Sequence, residues 1–93
     1  MAIELRAYDV AERLGDETEI LHYLDAAFED GDPSVIKNAL ANAARARGMT
    51  EIAKDAGITR AGLYRALSDD GNPTLDTLLK LTKALGLRLA VAM

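Results

Sequence analysis

Residues 50 to 67, TEIAKDAGITRAGLYRAL, constrain this chain more than any other stretch, because they spell two short helices parted by one glycine. Thr50 is a hydroxyl residue of the kind that caps a helix start. Ile52, Ala53 and Ala56 then recur at helical spacing and form one apolar face. Gly57 ends that helix, since the reversal needs a backbone conformation that a side chain resists. Ile58 plugs the angle between the helices, Thr59 caps the second one, and Leu63, Ala66 and Leu67 are its inward positions. Ala53 fits the same picture, because two steeply crossed helices leave room for little more than a methyl where they touch. The second helix turns Arg60, Ala61, Tyr64 and Arg65 outward, with Thr59 at its tip.

Two readings of that outward face compete. In a helix-turn-helix the N-terminal residues of the second helix meet base edges in the major groove. Arginine offers guanine two parallel donors, and tyrosine can donate to a phosphate or pack on a thymine methyl. The plainer reading is two surface arginines on an ordinary helical hairpin.

Charge bears on the choice. The chain is 93 residues long with a net charge of −4, which on its face argues against a polyanionic partner. Its distribution reverses that. Through Pro33 there are ten acidic and two basic residues, a net of −8; from Ser34 onward there are five acidic and nine basic, a net of +4. The helix pair lies in the basic part, and screening confines such fields to about 10 Å, so the local surface outweighs the total. The length suits one domain. No cysteine is present, which excludes disulfides and thiolate metal sites. No apolar run approaches about 20 residues and the start does not read as a signal peptide, so a cytoplasmic protein is expected.

Along the chain, Ile3, Leu5 and Ala7 alternate with Glu4 and Arg6, the period of a half-buried strand over 2–8. Asp9 caps a brief helix ended by Gly15. Asp16 opens a longer one with Ile20, Leu21, Leu24, Ala27 and Phe28 on its apolar face and Gly31 at its end. Asp32 followed by Pro33 starts the next, with Val35, Ile36, Ala39, Leu40 and Ala43 inward. Arg45 and Arg47 in its last turn suit the helix dipole; their nearness to the helix pair makes phosphate contact the competing role. After the pair, SDDGNPT is a loop, and Thr74 caps a core helix with Leu75, Leu78, Leu79, Leu81, Ala84 and Leu85 inward. Leu87, Leu89, Val91 and Met93 alternate with Arg88, Ala90 and Ala92, which reads as a second strand that needs a partner for its edge.

An enzyme is not indicated. His22 is the single histidine and sits among Ile20, Leu21 and Leu24, which suggests a place beside the core; the acid pairs Glu29–Asp30 and Asp69–Asp70 fall at helix ends and loops. No metal-ligand spacing, phosphate loop or nucleophile with its base is present, so catalytic and metal residues, a cofactor and a small-molecule substrate are all expected to be none.

From Asp32 to the end, and in the YLDAAFEDGDP segment before it, the chain resembles the addiction-module antidote proteins of the Xre (lambda repressor/Cro-like) helix-turn-helix class, often described as HigA-like antitoxins. ARARGMTEIAKDAGITRAGLYRALS and GNPTLDTLLKLTKALGL are the pieces that carry the likeness most specifically. The resemblance implies a small bacterial antitoxin encoded beside a toxin of the RelE/ParE type, which binds that toxin and represses their shared operon. It places Thr50, Thr59, Arg60, Ala61, Tyr64 and Arg65 at the DNA contacts; apart from the resemblance, Arg45, Arg47, Lys54 and Asn72 are candidate phosphate contacts. Two residues depart from the class. Met49 stands where many members carry a phosphate-reaching glutamine. Gly62 lies inside the reading helix, where glycine costs about 1 kcal/mol against alanine; either the backbone there comes close to DNA or the helix firms up on binding.

The expected protein is an all-α, compact five-helix domain of the Xre/lambda-repressor-like type with short terminal β-strands. It divides into an acidic helical extension over 1–31, a DNA-binding core over 32–86 and a strand over 87–93. The expected partners are operator DNA carrying an inverted repeat, the toxin, and a second copy in a homodimer, with no membrane. Leu87, Leu89 and Val91 are the expected dimer or toxin interface. The rival readings are a stand-alone prophage-type repressor without a toxin, and a helical interaction module that has lost DNA.

Overall fold

The structure, a computed structural model, describes residues 15–92. In order the helices are α1 Glu17–Asp30, α2 Pro33–Arg47, α3 Met49–Ala56, α4 Arg60–Ala66 and α5 Leu75–Ala84, and no strand occurs among the described residues. The strand expected over 2–8 and the brief helix after Asp9 lie outside them.

Four helices start where a short polar side chain takes up an otherwise unpaired N–H, the role such residues have at helix N-termini. Asp16 accepts from the N–H of Glu19 at 2.8 Å, and Asp32 from that of Ser34 at 2.8 Å with Pro33 as the first helical residue. Thr59 accepts from Gly62 at 2.9 Å and Thr74 from Thr77 at 3.1 Å. The exception corrects an expectation: Thr50 does not cap α3. That helix begins at Met49, and Gly48 precedes it with φ 105° and no side-chain cap. Gly48 also closes α2, donating its N–H to the Arg45 carbonyl at 3.2 Å while its own carbonyl accepts from Ile52 at 3.0 Å. A single residue therefore joins two helices, leaving no room for a hydroxyl cap.

The core gathers Ile20, Leu24 and Ala27 of α1, Ala39, Leu40, Ala43 and Ala44 of α2, Met49, Ile52 and Ala53 of α3, Leu63 and Leu67 around α4, and Leu81 and Leu85 around α5. α1 packs on α2, and α3 packs on α2, α4 and α5. Because α5 meets chiefly α3, its buried arc is narrow. Leu81, Thr82 and Leu85 are inside and Leu78 and Ala84 at the margin, whereas Leu75 and Leu79 are exposed, contrary to expectation. Leu21, Phe28 and Val35 likewise face outward, and His22 is exposed rather than beside the core.

Two buried polar residues escape a purely apolar pattern. Asn42 donates to the Tyr23 hydroxyl at 2.8 Å and accepts from the Arg45 guanidinium, linking α1 to α2. Thr82 satisfies its hydroxyl on the carbonyls of Leu78 and Leu79 in its own helix.

The C-terminal strand is not formed: residues 87–92 are irregular. The chain turns at Gly86 (φ 80°), and the Leu87 N–H donates back to the Thr82 carbonyl at 2.9 Å. The tail then runs along α1, where Leu87 and Leu89, with Leu21, Leu24 and Phe28, line a groove of about 320 Å³. Leu87 and Leu89 are half-buried and Val91 is fully exposed. The alternation of the tail thus serves one-sided packing against a helix, which a period of two fits as well as it fits a sheet face.

Candidate nucleic-acid interface

The exposed edge of the α3–α4 pair is fixed from behind. Leu63 is fully buried and Leu67 nearly so, while Ile58 in the turn packs against the same core. Gly57 takes the left-handed conformation at φ 70°, and the next N–H, of Ile58, donates to the Ala53 carbonyl at 2.9 Å. Ala53 is buried at 2% exposure, which leaves its methyl at the contact and no space for a larger side chain.

On that base the structure brings three of the sequence-selected residues together. The Arg60 guanidinium donates to the Thr50 hydroxyl at 3.2 Å and lies 5.7 Å from the centroid of the Tyr64 ring. Thr50 is the second residue of α3, so its hydroxyl joins the two helices in place of the capping role expected of it. The stacking is worth about 0.5–1 kcal/mol at an exposed site and holds a long cation in one direction. Thr59 caps α4 through its oxygen, which leaves its hydroxyl proton for an outside acceptor. Ala61 and Arg65 are exposed further along the same helix. Gly62 has a local cause: a Cβ there would stand 2.8 Å from the Thr59 hydroxyl oxygen, so the glycine makes room for the cap.

The remaining candidates are spread out. Arg45 is engaged with Asn42, and Arg47 pairs with Glu17 at 3.3 Å, tying the end of α2 to the start of α1. Lys54 is exposed at the far end of α3, beside Lys80 and Lys83 of α5. Asn72 is exposed in the loop after α4. Met49 is buried at 5% exposure and belongs to the core. The contact that sequence reasoning missed is Lys37, whose ammonium donates to the carbonyls of Asp69 and Gly71. A lysine near the middle of an amphipathic helix carries no signal of such a bond.

Among the described residues no cluster of His, Cys, Asp or Glu could hold a metal ion, and no helix is long and apolar enough to cross a membrane.

An uncharacterized protein of Haemophilus influenzae is 48% identical over 91 residues, spanning 98% of this chain and 94% of the relative. No solved structure matches the chain. Residues 4–93 match the family described as "probable addiction module antidote protein", and the chain belongs to that family.

Proposed function

We propose that the chain is the antitoxin of a type II toxin–antitoxin module, which neutralises a RelE/ParE-type toxin and represses its own operon through an Xre-class helix-turn-helix formed by α3 and α4. Family membership supports the antidote half, because an antidote implies a toxin, and favours a regulatory protein over an enzyme. The DNA half rests on one observation above others, the meeting of Thr50, Arg60 and Tyr64 at the exposed start of α4. Residues 32–86 form the DNA-binding core in this reading. Arg60 and Arg65 reach base edges, and Thr50, Lys54 and Asn72 serve the phosphates. Arg45 and Arg47 are less suited to that task, since their guanidinium groups already serve Asn42 and Glu17.

A single small helix pair makes few contacts, so two copies read inverted half-sites about 34 Å apart or a multiple of it. The toxin docks on α1 and the tail. α1 carries Glu17, Glu19, Asp25, Glu29 and Asp30 and no lysine or arginine, a surface that steers a cationic partner. Its exposed Leu21 and Phe28 line one groove with Leu87 and Leu89, which provide the apolar contact together with Val91, exposed further along the tail.

Footprinting on the promoter upstream of the coding sequence, together with co-purification of the neighbouring gene product, tests both halves. Arg60→Ala and Arg65→Ala should each weaken operator binding by about 1–3 kcal/mol in a sequence-dependent way. A single unpaired half-site in the footprint, or equal weakening on all DNA, would refute the dimeric base-reading assignment.

A further inference from the structure

α4 is seven residues long, fewer than two turns, and helices that short have little stability of their own. Its start is held by the Thr59 cap, and its buried side by α3. Its end is held by the loop that follows. Ser68 donates both its hydroxyl, at 2.8 Å, and its N–H, at 3.3 Å, to the Arg65 carbonyl, and the Gly71 N–H donates to the Ser68 carbonyl at 2.9 Å. The loop lies so close to α4 that a Cβ on Gly71 would stand 2.2 Å from the Arg65 carbonyl oxygen and 2.4 Å from that of Ala66. What fixes the loop in turn is Lys37, 34 residues earlier in sequence than Gly71: its ammonium donates to the carbonyl of Asp69 at 3.0 Å and to that of Gly71 at 2.8 Å. An ammonium has three donors, and two are committed to the backbone of this loop, whose Gly71, Asn72 and Pro73 also line a groove with Ile36 and Leu40 of α2. Charge-assisted bonds of this kind are the stronger ones, and Lys37 is itself half-buried.

We propose that Lys37 is a positioning residue for DNA reading. It anchors the loop that closes α4, and so sets the direction of the last turn, which carries Arg65, and the place of Asn72. The inference rests on the DNA-binding reading above and adds to it a residue on α2 that touches no base.

Lys37→Met keeps the stem and removes the donors. Two measurements on the full chain separate the possibilities: amide hydrogen exchange, which needs no DNA, and binding to a duplex of the chain's own upstream promoter beside a scrambled duplex of equal length. The expected result is exchange about tenfold faster at residues 68–72 with α1 and α5 unchanged, and promoter binding about tenfold weaker with little change on the scrambled duplex. Lys37→Gln, which retains one donor pair on a shorter stem, should fall between if the methionine variant proves poorly folded. Unchanged exchange at 68–72 overturns the anchor. Equal loss on both duplexes overturns positioning and makes Lys37 a phosphate contact. A wild-type chain with no preference for its promoter removes the DNA reading itself, and the exchange data then show separately whether the anchor exists.

Discussion

The α3–α4 pair and the α1 flank are built from similar residues and use them in opposite ways. Around α4, Leu63 and Leu67 are both inside, and Ala53 and Gly62 are the small residues that close approach demands. Along α1 and the first turns of α5, Leu21, Phe28, Leu75 and Leu79 are large, apolar and exposed. In the first region Ile52, Leu63 and Leu67 are all buried. The second holds a surplus, and α1 has acidic side chains without a single lysine or arginine. Exposed apolar side chains mark a surface kept for another molecule where they form one contiguous patch.

The sharpest way to break that contrast is to truncate one leucine from each region. Leu63→Ala should cost about 2–5 kcal/mol in urea unfolding, the range for a buried leucine. Leu75→Ala should stay within about 0.5 kcal/mol. Equal losses would mean that the exposed leucines are structural after all. Two glycines extend the test, since Gly71→Ala drives a methyl into backbone and should cost about 1–3 kcal/mol. Gly31→Ala meets open space and should cost only its left-handed backbone, about 1 kcal/mol, as read from melting temperatures. Thr59→Ala should remove about 1 kcal/mol of cap and weaken promoter binding with it. The smallest effect on stability, within about 0.5 kcal/mol, is expected for Leu21→Ser combined with Val91→Ser, two exposed residues of the proposed docking surface. Those changes should still impair capture of the neighbouring toxin in a pull-down, and undiminished capture would move the docking surface elsewhere.

Local signals carried most of the fold. Asp16, Asp32, Thr59 and Thr74 cap the helices that their residue types announce, and Gly31, Gly57 and Gly86 take the left-handed conformations that end them. What was not legible depends on distance in sequence. The periodicity of LDTLLKLTKAL shows that α5 is amphipathic; which leucines find a neighbour depends on α3 lying across a narrow arc of it. The tail alternates as a strand does, yet its period is spent against a helix, because no second strand stands beside it among the described residues. At the candidate interface the outward set Arg60, Ala61, Tyr64 and Arg65 followed from helical phase alone. The Thr50–Arg60 bond and the Lys37 anchor did not, since each depends on where a separate helix comes to rest.

The joint at Gly48 has a consequence for how this chain can change length. Because one residue ends α2 and begins α3, the two helices share a fixed phase, and an added or deleted residue there would turn α3 by about 100° about its axis. Such a turn would carry Met49, Ile52 and Ala53 out of the core and swing Thr50 away from Arg60 together. Length changes among relatives should therefore avoid this point and collect in the irregular tail beyond Leu87.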